Sequence, residues 1–409
     1  MRKRNTLLFI IALIIVVVAV FRISMRTWPW TLTIPPLVIN NPLVADEIEI
    51  KEPEEESKEN EDIKVGREMP FAVNLPQGFK MGIFAEGLGN ARVLLFDLKN
   101  RLLVSAPSQG KIIRLTDSDG DGFAELKETI LTGLNRPHGL AFFEKWLYVA
   151  EANKIVRYEY DHNSGKVLSS GEKLIDLPGG GRHFTRTIGF DSNDKLFISI
   201  GSSCDTCLED DKNRAAIMIS DPDGKNARIY ASGLRNSVFF RWHPNTKELF
   251  ATDMGRDFLG DNLPPDEVNI IKDGKGYGWP FCYGKRVYDT VFRGVDNCAS
   301  SEPSFIDLPA HVAPLGLAFA LKEWGKEWEG DLFISYHGSW NSSVPVGYKI
   351  VQFTKESNYQ ESRDFITGFI NQKNNVLGRP VDLLFDNNGR LFISDDKSGM
   401  IYMVVAGVD

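Results

Sequence analysis

The feature that most constrains this sequence is a cadence repeated six times after Pro76. Each unit opens on a polar or arginine-bearing lead-in and runs into a short apolar strand. It then turns on Asp, Asn or Gly and returns as a second strand written L-F-I-S or L-Y-V-A. The units are ARVLLFDLKNRLLVSAP from Ala91, RPHGLAFFEKWLYVAEA from Arg136, RHFTRTIGFDSNDKLFISIG from Arg182, RNSVFFRWHPNTKELFATD from Arg235, APLGLAFALKEWGKEWEGDLFISYHG from Ala313 and RPVDLLFDNNGRLFISDD from Arg379. Further strands such as GKIIRL and GMIYMVV follow them. Helical spacing is scarce after Pro76, whereas short strands bounded by turn residues are everywhere. Four short strands repeated every ~40–50 residues are the mark of propeller blades. The expectation is therefore an all-β, six-bladed β-propeller over residues 76–409, with a β-sandwich or a pair of β-domains as the alternative. Ring closure needs an early strand to complete the last blade, and FKMGIFAEGL from Phe79 is the candidate.

The chain before the cadence has a different character. RKRNT precedes fifteen apolar residues from Leu7 to Phe21, and no small-residue cleavage site follows them. Residues 1–28 are thus expected to be an uncleaved signal anchor, a transmembrane helix with a cytoplasmic N-terminus, with a cleaved signal peptide as the alternative; either sends the folded part across the membrane. Residues 29–75 are rich in proline and acid and are expected to be a disordered linker. The stretch Asp46–Asp62 holds ten acids and two lysines, and residues 1–45 carry five basic residues and no acid, so the net charge of -8 leaves only -5 for everything after Asp62. A propeller so close to neutral carries no footprint for nucleic acid. The four cysteines, Cys204, Cys207, Cys282 and Cys298, have no second C-x-x-C or histidine pair at ligand spacing beside them. Two structural disulfides, 204 to 207 and 282 to 298, are expected in an exported protein.

In a propeller, the lead-ins converge at one mouth of the central channel. His183, Arg186, Arg235, Asn236 and Arg379 lie on such lead-ins, and converging guanidinium groups suit an anionic ligand. Neighbouring cations would keep His183 neutral, as a general base requires. His162 and His243 read as surface turn residues. The stretch DSDGDGFAELKE places Asp117, Asp119, Asp121, Glu125 and Glu128 at the ligand positions of a calcium loop, with Gly122 at the sixth. An unmetallated acidic turn is the alternative there. DMGRD, from Asp253 to Asp257, could offer backbone carbonyls to a hard cation.

The motifs RHFTRTIGF, GSSCDTC, SGLRNSVFF, DEVNIIKDGKGYGWPFCYG, HGSWNSSVPVGYK and GRPVDLLFD stand in the order found in the pyrroloquinoline quinone (PQQ)-dependent sugar dehydrogenases. From about Pro76 to Val405 the chain resembles that family, six-bladed propellers related to soluble glucose dehydrogenase, and is most similar to its sorbosone dehydrogenase branch. The resemblance implies that His183 takes the proton from a sugar hydroxyl while hydride passes to calcium-bound PQQ. It implies that Arg235 and Asn236 contact the quinone, that Arg379 pairs with a PQQ carboxylate, and that Arg186 belongs to the same wall. The carbonyls of Gly255 and Arg256 would hold the calcium. His337 stands where glucose-type members carry a lysine, with Lys349 further on, which argues against glucose as the substrate. An aldose or related aldehyde is the implied substrate, and a quinone or cytochrome the implied acceptor. Two other functions remain open at this point, a calcium-dependent lactonase or esterase and a non-catalytic binding propeller.

Overall fold

The computed structural model describes residues 64–293 and 298–407, which belong to one compact unit. The expected anchor and most of the expected linker lie outside the described residues. Among those described, no helix is long and apolar enough to cross a membrane, and the helices are three single 3-10 turns. Six sheets of four or five strands occupy residues 94–131, 140–176, 188–232, 240–308, 314–366 and 380–406, blades one to six. A strand from residues 275–276 joins blade three, and Phe79–Ala85 completes blade six by pairing antiparallel with Met400–Ala406. The first strand of blade one, Leu94–Phe96, touches those of blades two and six, which closes the ring.

The repeated letters have separable physical roles. In five blades every residue of the second strand is buried, as in Leu196–Ile200 and Leu391–Asp395. Neighbouring blades cover both faces, so these strands read as apolar runs rather than alternating patterns. The hydroxyl within each run is the exception to that apolarity, and in four of the five it bonds to the next blade, while Ser105 Oγ accepts the Val93 amide of its own blade. Ser199 donates to the Ser237 carbonyl, Thr252 to Leu315, Ser335 to Val381 and Ser394 to Arg92. Each such bond is worth ~0.5–1.5 kcal/mol net. Blade two has Ala150 at this place.

Blades one, three and six also share one turn between first and second strands. Asp97, Asp191 and Asp386 each accept two following backbone N–H groups. Three residues after each, Asn100, Asp194 and Gly389 take left-handed φ values of 61°, 61° and 78°. An acid at the end of the second strand then pins its own blade's lead-in. Glu151 accepts from the Asn135 amide, Asp253 from Arg235 and Asn236, and Asp395 from Arg379.

Packing starts ahead of Pro76, which corrects the linker boundary. Met69, Phe71, Val73 and Leu75 pack against the core of blades five and six, and Asn74 bridges to Thr367. Their apolar side chains, at every second position, pack on this core while the residues between them are exposed. Cys204–Cys207 and Cys282–Cys298 are bonded, with Cα separations of 6.2 and 5.8 Å.

Candidate active site

Three connections break the economy of the repeat. In blades one, two and six the second and third strands are joined by short turns. In blades three, four and five the joins run over residues 201–215, 254–265 and 337–348. The excursions of blades four and five, with the lead-ins of blades three and four, line a cavity of about 240 Å³ whose wall includes Arg182, His183, Arg235, Asn236, Gly255 and Trp340. A second lobe of about 160 Å³ shares Arg182, His183, Asn236 and Met254 and reaches Arg92 and His337. Together the lobes reach the ~300–1,000 Å³ range of small-molecule sites.

His183 is held by a tight approach of two loops. Gly181, at φ 78°, lies so close to Ser203 that a Cβ would meet its Cα at 2.8 Å. That proximity lets the Arg182 amide donate to the Ser203 carbonyl at 2.7 Å. His183 Nδ1 then lies 3.0 Å from both the carbonyl oxygen and Oγ of Ser202. A carbonyl only accepts, and Ser202 Oγ spends its own proton on the Cys204 carbonyl, so Nδ1 carries the hydrogen. Nε2 is left with its lone pair. Burial first, and then the charge of Arg235, push the imidazole down to about 3, so it is neutral at physiological pH.

Arg235 is fixed from three sides. Nη2 bonds Asp205 Oδ1 at 2.7 Å, Nε bonds the Asp205 carbonyl at 2.8 Å, and Nη1 reaches the Met254 carbonyl at 3.2 Å. Asn236 lines both lobes, and its Oδ1 is buried without a hydrogen-bond partner. Gly255 lines the cavity and donates its amide to the buried Asp266, whose carboxyl burial pushes up to about 7. The Arg256 side chain leaves the cavity to pair with Asp289 at 3.0 Å.

The other expected residues divide. His337 lines the smaller lobe, with Nε2 2.9 Å from Asp396 Oδ1. Burial opposes ionisation of Asp396, but His337 and Arg92 hold its carboxyl below the ordinary range. Arg379 adjoins this group without lining either lobe. Its guanidinium meets the Gly338 carbonyl at 2.8 Å and lies 4.9 Å over the Tyr348 ring. Arg186 lines neither lobe. It is fully buried and its two Nη groups bond the carbonyls of Pro178, His183 and Thr185, a placement that braces the His183 loop from behind.

The acidic loop is corrected at one end. Asp117, Asp119, Asp121 and Glu125 bring carboxylate oxygens within 4.8 Å of one another. Glu128 sits on the fourth strand of blade one, in register with Arg114 and paired with it. The strand begins at Leu126, too early for Glu128 to fold back. His243 is also corrected, because it is buried against Phe319 and meets Tyr359 Oη at 2.9 Å.

Asp205, Asp257, Arg182 and Trp340 were not singled out by the sequence reading. Asp257 pairs with Arg182 at 2.5 Å, and the Arg182 guanidinium lies 5.5 Å from the Trp340 ring. The signal for Asp205, Asp257 and Trp340 is the long gap between the second and third strands in units three to five, whereas Arg182 stands on the lead-in of blade three.

The sequence matches the TrAA12-like family over residues 73–407. A Borreliella burgdorferi protein, named only as uncharacterized, is 32% identical over 357 residues, covering 82% of this chain and 92% of that one. A Coprinopsis cinerea protein named pyrroloquinoline quinone-dependent pyranose dehydrogenase is 22% identical, with 82% of this chain matching 54% of its length. This chain therefore spans about half of that relative. Among solved structures, a calcium structure of a Trichoderma reesei family AA12 enzyme superposes with a TM-score of 0.72 at 22% identity, covering 84% of this chain and 99% of that one.

Proposed function

The chain belongs to the TrAA12-like family, and from that premise we propose that it is a PQQ-dependent oxidoreductase that oxidises an aldose sugar or related aldehyde. The observation that carries the reading is His183, a neutral imidazole with Nδ1 engaged by Ser202 and Nε2 free to act in an arginine-walled cavity. The name of the Coprinopsis relative and the calcium in the Trichoderma structure support the same class of chemistry.

The residues fit the cofactor. Asn236 Oδ1 is a buried acceptor in the cavity wall without a partner. The Arg379 guanidinium meets carbonyl oxygens and an aromatic ring rather than a carboxylate, which leaves its charge for an anionic ligand. Arg235, Asn236, His337 and Arg379 would hold PQQ. The main chain at Gly255 and Arg256 would hold calcium, beside the carboxylate of Asp266, an oxygen set suited to a hard cation. When bound, PQQ supplies the two-electron acceptor for the substrate's hydride. His183 Nε2 takes the hydroxyl proton, and Ser202 keeps the ring in the required tautomer as the positive charge develops. Arg182, beside the base, fixes the edge of the substrate space through Asp257 and Trp340.

A second calcium is proposed at Asp117, Asp119, Asp121 and Glu125, where it would pin a loop of blade one. We further propose that Leu7–Phe21 anchors the chain with its propeller outside the cytoplasm, where two disulfides are at home. The electrons would then leave to a quinone or a cytochrome. A lactonase reading is disfavoured because such sites gather several metal-binding side chains in the channel. Here the cavity wall carries arginines and only two carboxylates, Asp257 and Asp266.

The test is titration of PQQ into the full-length, calcium-loaded protein, followed by a sugar and aldehyde screen with a dye acceptor. Saturable binding and dye reduction are expected, with His183→Ala abolishing turnover but not binding. Absence of PQQ binding, or hydrolysis of lactones without it, would overturn the reading.

A further inference from the structure

The excursion over residues 201–215 holds an acid between two disulfide-bonded cysteines. We propose that Asp205 is a positioning residue: the Cys204–Cys207 loop presents it to Arg235 while the same loop, through Ser202, orients His183. The inference rests on the function proposed above, and it adds a role for a motif whose cysteines take no part in the chemistry.

Asp205 uses both its side chain and its main chain. Oδ1 accepts from Arg235 Nη2 at 2.7 Å and from the Asp257 amide at 3.0 Å. Its carbonyl accepts from Arg235 Nε at 2.8 Å and from Trp279 Nε1 at 3.3 Å. The guanidinium fork is thus gripped on two adjacent donors by one residue. Such a grip fixes its plane as well as its position. The arginine side chain is 5% exposed, so each of these bonds is made away from competing water.

The other hand of the loop reaches the base. Ser202 Oγ donates to the Cys204 carbonyl at 2.7 Å, and this leaves Ser202 O and Oγ as acceptors for His183 Nδ1. The cross-link closes three residues after Cys204, and Glu209 accepts the Ser203 amide at 2.6 Å just beyond it. A segment without regular secondary structure is thereby tied at Ser202, Ser203 and Asp205. Cross-linking removes freedom that an open loop of the same length would keep. Arg235 and His183 come from the lead-ins of different blades, and this loop bonds to both.

The experiment uses the full-length protein as wild type, Asp205→Ala, Asp205→Asn and the Cys204→Ser/Cys207→Ser double variant. PQQ affinity is titrated with calcium present. In the cofactor-free protein, exchange of the Arg235 Nε–H and the nitrogen shifts of the His183 ring are followed by NMR. Asp205→Ala is expected to raise the PQQ Kd at least tenfold and to speed Arg235 Nε–H exchange at least tenfold, with the His183 tautomer unchanged. Asp205→Asn keeps an oxygen acceptor and should stay within about threefold of wild type. The double variant should show the Asp205→Ala changes and, in addition, mixed His183 tautomers. If wild type binds no PQQ, the proposed function fails, yet the two NMR readouts still decide the positioning role. A lowered Tm with Kd, Arg235 exchange and the His183 tautomer all within twofold of wild type would overturn it.

Discussion

Gly201 closes the second strand of blade three against the two most consequential side chains of the cavity. A Cβ placed there would stand 2.7 Å from His183 Cβ and 2.5 Å from Asn236 Oδ1. Its backbone is not left-handed, so alanine brings no torsional cost and the effect is steric alone. Restoring ordinary contact with His183 means a retreat of roughly 0.7 Å, and Asn236 has to move by more. Crowding of this kind costs ~1–3 kcal/mol of stability. The larger effect is on the reaction, since a misplacement of ~1 Å can cost about 10²-fold in rate, or about 2.7 kcal/mol of barrier. Gly201→Ala is therefore expected to lose about two orders of magnitude in kcat for dye reduction while still binding PQQ. Gly171→Ala is the matched control, because its Cβ would meet Val156 Cγ1 at 2.6 Å on the outer part of blade two, away from the cavity. It should lower Tm by a comparable few degrees and leave kcat unchanged. If both variants keep wild-type turnover, or lose it in parallel, the argument that Gly201 sets the base's position is refuted.

The remaining predictions concern charge and calcium. His183 is held near 3 in the folded chain, against ~6.5 when unfolded. Between those values the unfolded chain binds a proton that the folded chain refuses, so stability falls as pH drops from about 6.5 toward 3. Urea midpoints at pH 7 and pH 4.5 should therefore converge in His183→Gln relative to wild type, and an NMR titration should find the ring still neutral at pH 5. Replacing Asp395 with alanine removes the acceptor for the Arg379 amide and for the Tyr402 hydroxyl, a loss of ~1–3 kcal/mol, and should weaken PQQ binding through Arg379. Calcium at a hundredfold excess over its Kd should stabilise the chain by about 2.7 kcal/mol per site it binds. Thermal scans should show the blade-one share of that gain lost in Asp119→Asn and kept in Glu128→Gln.

Most of the architecture was legible because each letter of the repeat answers to one force. The buried second strand demands an apolar run, the hairpin demands Asp and a left-handed residue, and ring closure demands a spare strand, found at Phe79–Ala85. The packing of Met69, Phe71, Val73 and Leu75 was less legible. One isolated bridge, Asn74 to Thr367, ties this segment to a partner far along the chain, and no turn signal marks where it begins to dock.

The arginines show where the sequence stops being informative about the site. Arg186 and Arg235 both occur on lead-ins beside glycines, yet one is sealed behind the His183 loop and the other is presented to the cavity. The difference lies in what they meet. Arg186 finds main-chain carbonyls from its own loop, whereas Arg235 is met by Asp205 from a connection thirty residues earlier. A carboxylate that arrives from another part of the fold cannot be read from the residues flanking an arginine, although the length of the connection that brings it can. In this chain the long joins between second and third strands belong to blades three, four and five, and those are the blades around the cavity. The site is therefore located better by where the repeat is stretched than by where the arginines fall, since the stretched joins bring Asp205 to Arg235 and Asp257 to Arg182, with the short join of blade six adding Asp396 beside Arg92 and His337.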